Sequence, residues 1–151
     1  MPVRIVQSKQ NARLKELRRA LTFPGREGRG LAGIEGPNLI EEALKAGLHV
    51  GMLVDQYLTN GVEVTFFGRK TKANPTLARL LRQVECPVHG VRMIRLPGQR
   101  FRGEITEELA PVRDASGRID VQGTTQAITS VVEGWIREHP EQWLWLHRRW
   151  R

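Results

Sequence analysis

The sequence predicts an α/β fold in which a mixed sheet is flanked by helices, and three observations lead there. Short runs rich in β-branched and aromatic residues alternate with stretches of helical apolar spacing. Glycine and proline punctuate them, with 15 Gly and 8 Pro in 151 residues. Hydrophobic residues make up 40% and charged ones 26%, a balance that supports a packed core and excludes a disordered chain.

Ser8 caps a first helix through Leu14, Leu17 and Leu21, which share one face, while Lys9, Arg13, Lys15, Arg18 and Arg19 cover much of the rest. Phe23-Pro24-Gly25 stops it, and Leu31 to Glu35 reads as a short strand. Gly36-Pro37 opens a second helix with Leu39, Ile40, Ala43 and Leu44 on one side, ended by Gly47. Val50 to Val54 is short and wholly apolar, as a buried strand would be, and Asp55-Gln56 closes it. Tyr57 to Gly61 reads as a turn, Val62 to Phe67 as a strand, and Gly68 to Lys72 as a basic loop. Asn74-Pro75 starts a helix whose buried side is Leu77, Leu80, Leu81 and Val84. Pro87 to Leu96 and Arg100 to Leu109 are strands around a Pro97-Gly98 turn, and Asp114 to Gly123 is a polar connection. A long helix follows from about Thr124, with Ala127, Ile128, Val131, Val132, Trp135 and Ile136 as its apolar stripe, until Pro140 interrupts it.

The formal charge of +8 implies an anionic partner: nucleic acid, phospholipid or a phosphorylated glycolipid. Cys86 is alone, which excludes an intrachain disulfide and favours a reducing compartment. No apolar run approaches the ~20 residues that cross a bilayer, and Met1 to Ser8 lacks the apolar stretch of a signal peptide, so a soluble or peripheral protein is expected. The tail narrows the choice. All four tryptophans lie between Trp135 and Trp150, and after Glu141 there are only basic charges, Arg148, Arg149 and Arg151. Indoles beside guanidinium groups suit the boundary between acyl chains and anionic headgroups. The same residues also suit a helix docked by its tryptophans with its arginines in water.

Larger blocks extend this. Gly51-Met52-Leu53-Val54-Asp55-Gln56, Val64 to Arg69, Ala73-Asn74-Pro75, Cys86-Pro87-Val88-His89-Gly90, His139 to Trp145 and His147 to Trp150 follow one another in the chain. In order, spacing and endpoint, residues 49–151 resemble the C-terminal part of the bacterial lipid A biosynthesis (lauroyl/myristoyl) acyltransferases. The resemblance implies a partial glycerolipid-acyltransferase-like mixed sheet. It implies fatty acyl transfer from acyl carrier protein to a lipid A precursor, at the cytoplasmic face of the inner membrane, with the chain bound peripherally. It also places substrate or lipid at Asp55, Gln56, Phe67, Arg69, Trp143, Trp145, Arg148 and Arg149. Arginine suits a phosphorylated disaccharide because its planar fork holds phosphate two-pronged.

The family's His-x4-Asp/Glu motif, whose histidine is the base on the acceptor hydroxyl, has no counterpart here. His49 and Asp55 are six residues apart, ~20 Å along a strand, and His89, His139 and His147 lack an acid at the required spacing. No catalytic residue is assigned, and the chain alone is expected to be inactive. No cofactor is implied, and no cluster of Cys, His and carboxylate has metal-ligand spacing.

Ile5 to Lys15 and Gly33 to Leu44 resemble something else, the N-terminal substrate-binding domain of SpoU/TrmH-type RNA 2′-O-ribose methyltransferases. That implies a partial L30e-like α/β segment over 1–48, preceding the 49–151 unit, with RNA on Lys9, Arg13, Arg18 and Arg19. The meeting point near Gly47-Leu48-His49 reads as the junction of a hybrid. Residue by residue, the phenylalanines at 66 and 67 suit core packing, Arg69 in a loop suits function, and Cys86 and His89 read as core residues. A non-catalytic peripheral membrane protein is the remaining alternative.

Overall fold

A computed structural model describes residues 4–6, 37–146 and 149–150. The expected Ser8 helix, the Leu31 to Glu35 strand, the L30e-like segment over most of its length and the basic residues Lys9, Arg13, Arg18 and Arg19 lie outside these. In chain order the elements are β1 (Arg4–Val6), α1 (Pro37–Lys45), β2 (Tyr57–Phe66), β3 (Arg69–Ala73), α2 (Thr76–Gln83), β4 (His89–Leu96), β5 (Arg100–Glu108) and α3 (Val121–Glu138), followed by a 3-10 turn over Pro140–Gln142.

The fold is mixed α/β, but the strands form two antiparallel sheets instead of one mixed sheet. One has the order β1-β5-β4 and the other is the β2-β3 hairpin. Each hairpin closes through a tight turn, so neighbours in sequence pair directly and no parallel crossover is present among the described residues.

The β2-β3 hairpin overturns two expectations. The basic run Arg69 to Lys72 is a strand, because β2 offers it a ladder and its alternation puts Thr71 and Ala73 inward while Arg69, Lys70 and Lys72 stay in water. Its two-residue turn, Phe67-Gly68, has positive φ at both positions, 52° and 72°, as a type I′ turn requires. The residues read as a turn, Tyr57 to Gly61, open β2, yet Tyr57 and Val62 both pair with Ala73, so 58–61 leave the ladder as a bulge. Gly61 is required there, since a Cβ would collide with the Ala73 carbonyl oxygen.

Val50 to Val54 is not a strand, and Leu53 is exposed. An apolar run becomes a buried strand only where a ladder receives it, and no described strand pairs with these residues. Side-chain amides bind the backbone at two strand positions instead. Gln126 on α3 takes the Thr65 N–H at 2.7 Å and donates to its carbonyl at 3.0 Å. Gln142 does the same to Arg95, at 2.7 and 3.2 Å. Each glutamine stands where a neighbouring strand would, blunting an edge.

Helix boundaries follow their caps. Gly47 at φ 74° receives the end of α1, and Leu48 N–H returns to the Ala43 carbonyl at 2.9 Å. Asn74 Oδ1 accepts from Thr76 N–H and hydroxyl at 3.0 and 2.6 Å at the start of α2, which buries Ala78, Leu80 and Leu81. The last helix starts at Val121, three residues before the expected Thr124, because Asp120 accepts from Gln122 N–H at 3.0 Å.

The face of α3 that packs most tightly is also unexpected. Thr124, Thr125, Thr129 and Ile136 are buried, while Ala127, Ile128, Val131 and Val132 are half-buried. The threonine hydroxyls donate to backbone carbonyls of Val112, Val121 and Thr125, so burial leaves them satisfied. Cys86 is half-buried, and His89 is exposed with Nδ1 3.1 Å from the Thr106 carbonyl, not a core histidine.

The two glycine positions are expected to differ in cost. Gly47→Ala meets open space but an unfavourable φ, and should lower unfolding free energy by about 1 kcal/mol. Gly61→Ala forces backbone apart and should cost about 2–3 kcal/mol. Urea denaturation of the two variants checks the order.

Candidate functional site

The turn between β2 and β3 meets the C-terminal tail in a cluster of five aromatic rings. Phe66 is its centre, 1% exposed. Trp150 stacks on it with centroids 5.5 Å apart and donates its indole N–H to the Phe66 carbonyl at 3.2 Å. Phe67 meets Phe66 edge-on at 4.8 Å, and Trp143 lies 6.3 Å away on another side. Trp145 leans on Phe67 at 6.0 Å, its Nε1 bound to the Pro140 carbonyl at 2.7 Å. Such pairs add about 0.5–1.5 kcal/mol each beyond the area they bury.

Three guanidinium groups lie on these rings: Arg149 on Phe66 at 5.1 Å, Arg137 on Phe67 at 4.6 Å and Arg69 on Trp150 at 5.8 Å. Their surroundings differ. Arg149 is only 2% exposed, its carbonyl accepts from the Thr71 hydroxyl, and its Nε and Nη1 have no hydrogen-bond partner. Burial pushes this guanidinium below its ordinary range, and the Asp55 carboxylate works against that shift. Arg137 is bound by Glu133 through Nε and Nη2 at 3.1 and 2.7 Å. Arg69 is exposed and carries no ion pair among the described residues.

Glu133 is the hinge of the arrangement. Its other oxygen accepts the Phe67 N–H at 2.6 Å, which holds a non-glycine residue in the left-handed region. Burial raises the Glu133 carboxyl, but the Phe67 N–H and Arg137 outweigh it, leaving the group below its ordinary value of 4.5.

Next to the cluster lies a cleft of about 310 Å³. Met52 to Asp55 form one wall, Val91 to Ile94 another, and Val132, Trp135, Ile136, His139, Gln142 and Trp143 complete it. Trp143 therefore belongs to both cleft and cluster. Arg92 reaches the Trp135 ring at 5.6 Å and pairs with Glu104 and Glu138, each at 2.6 Å, tying the end of α3 to the sheet. His139 Nδ1 is 3.5 Å from Glu141. Apolar walls with few polar groups suit a hydrocarbon chain, and the volume lies at the lower end of small-molecule sites.

Of the residues singled out by sequence, the structure gathers Phe67, Arg69, Trp143, Trp145 and Arg149 in the cluster and Asp55 in the cleft. Gln56 is exposed and lines neither, and Arg148 lies outside the described residues. The two-faced tail is the main surprise. Trp143 and Trp150 are half-buried, whereas Leu144, Trp145 and Leu146 are exposed, Leu146 at 90%. Sequence reasoning missed these leucines together with Glu133 and Arg137. The i, i+4 spacing of the last two on a recognised helix was the signal available. Among the described residues no helix is long and apolar enough to cross a membrane, and no group of three acidic, His or Cys side chains could hold a metal.

A family model of the bacterial lipid A biosynthesis acyltransferases matches residues 9–151. The chain belongs to this family. No curated protein matches it. The match begins 40 residues ahead of position 49, inside the segment read as methyltransferase-like (49 − 9 = 40), and nothing supports the methyltransferase resemblance or an RNA partner.

The depressed carboxyl of Glu133 sets a pH dependence. Its stabilising contribution is complete above its ordinary value of 4.5 and is lost as the pH falls through its lower folded value. Thermal melts between about pH 6 and pH 3 should show a falling midpoint, and Glu133→Gln should lower the neutral-pH midpoint and flatten the acid slope.

Proposed function

We propose that this member of the lipid A biosynthesis acyltransferases forms the lipid-holding part of the site. An acyl chain lies in the cleft and an anionic group rests against the arginine-capped cluster. The observation that carries the reading is Trp143, one face in the apolar cleft and one against Phe66, so the two binding chemistries adjoin. The acyl donor is acyl carrier protein and the acceptor a lipid A precursor. Arg69 is the group best placed for a phosphate, since its guanidinium is exposed and oriented by an indole face.

Attachment to a bilayer surface is supported by the exposed apolar side chains of the tail, and the family supports the cytoplasmic face of the inner membrane as its place. Leu144 and Leu146 insert among acyl chains, with the exposed Trp145 beside them, while Trp143 and Trp150 hold the tail in shape. The chain binds without transferring. An acceptor hydroxyl needs a base, no His-x4-Asp/Glu is present, and the one described histidine on the cleft, His139, lies beside a carboxylate two residues on.

Co-sedimentation with phosphatidylglycerol vesicles tests the surface. Wild type should sediment, Leu144→Asp/Leu146→Asp should stay in solution with an unchanged melting temperature, and Trp150→Ala should lose melting temperature. A wild type that ignores the vesicles would overturn the attachment. Radiolabelled acyl carrier protein with a lipid A precursor tests the chemistry, and acyl transfer by the purified chain would overturn the assignment of a non-transferring part.

A further inference from the structure

The outer face of the β4-β5 hairpin carries large apolar side chains that no described residue covers. Val91 and Met93 on β4 and Ile105 on β5 are each more than half exposed, although Val91 and Ile105 are directly paired. On the alternate positions Ile94 is buried, so the inner face is filled and the outer one is bare. Met93 lies over Gly103, where a Cβ would come within 3.2 Å of its sulfur, and Leu53 from the cleft wall extends the patch. Contiguous apolar surface of this kind marks an interaction site.

The charges say what fits. At the turn end Arg95, on the same face as Val91 and Met93, is exposed and forms no ion pair among the described residues. At the open end Glu107 and Glu108 are likewise exposed and unpaired. Between them Glu104 is taken by Arg92 and Arg102, at 2.6 and 2.8 Å. Six residues of β4, ~20 Å, separate the basic end from the acidic one, with the apolar side chains in the middle.

This face is complementary to itself. A two-fold axis running across the strands lays apolar centre on apolar centre and brings each basic end over the other copy's acidic end. An axis along the strands would instead stack like charges. A wholly acidic partner, or an anionic bilayer, would meet Glu107 and Glu108 in repulsion. We propose that a second copy of this chain docks here, the two hairpins packed face to face as in a sheet-on-sheet sandwich. Val91, Met93 and Leu53 also border the cleft, so the docked copy would share that wall with an acyl chain; the mass of the assembly tests the contact without lipid present.

Sedimentation equilibrium of the whole chain tests it. The mass should rise from 17.2 kDa towards twice that value as concentration increases to about 100 µM. Met93→Glu should remain monomeric. Arg95→Glu should weaken association about tenfold or more, and adding Glu108→Arg to it should restore the dimer, because the reversed charges meet again across the axis. The double variant keeps the test decisive even if Met93→Glu folds poorly. A monomer throughout, growth beyond the dimer, or a dimer indifferent to Arg95→Glu would each overturn the proposal.

Discussion

Burial of the Phe66 ring is the contact on which the rest of the arrangement depends. The residue ends β2, and two of its neighbours in space come from the far end of the chain: Trp150 stacks on the ring and binds its carbonyl, and Arg149 lies over it. A tail with no long helix or strand of its own is thereby held against a hairpin more than 80 residues earlier. Because Trp143 is fixed by the same ring, so is one wall of the cleft. A hydrophobic contact without directionality would not give this order; edge-on and stacked rings, with one indole N–H spent on a backbone carbonyl, do.

The arginines show how a basic chain uses its charge without simply repelling itself. Four of them lie on aromatic faces, where the guanidinium is stabilised without a carboxylate. Arg92 pairs with Glu104 and Glu138 and so ties the C-terminal end of α3 to the β4-β5 sheet, while Arg137 pairs with Glu133 within the helix. Arg149 is the costly one. A buried guanidinium with two unpartnered nitrogens stores unfavourable desolvation, offset by the ring beneath it and the field of Asp55. Arg69 is exposed and forms no ion pair among the described residues.

The chain belongs to the lipid A biosynthesis acyltransferases from residue 9 onward, and the proposed function gives these features a common purpose. A protein that works on a lipid needs an apolar slot, a cationic rim and a surface that tolerates hydrocarbon. On that proposal the cleft between β4, α3 and residues 52–55 is the slot, and the arginines on the aromatic rings are the rim. The amides of Gln126 and Gln142 satisfy the backbone of one residue on each of two strands, Thr65 and Arg95.

Much of this was legible in the sequence. Caps and breakers located α1, α2 and the body of α3, since Gly47, Asn74 and Pro140 act within a few residues of themselves. β-branched runs located the cores of β2, β4 and β5, and Phe67, Arg69, Trp143 and Trp145, singled out by type and position, come together in the aromatic cluster. What the sequence could not decide was partnership. The basic run at 69–72 is a strand only because β2 lies beside it, and the apolar run at 50–54 is not one because no described strand pairs with it. The same holds for the tail: its tryptophans look equivalent as letters, and only the presence of Phe66 draws Trp143 and Trp150 against the hairpin while Leu144, Trp145 and Leu146 stay exposed. Local chemistry is written in neighbouring residues, whereas ladder edges and ring stacks are settled by whichever distant segment arrives to fill them.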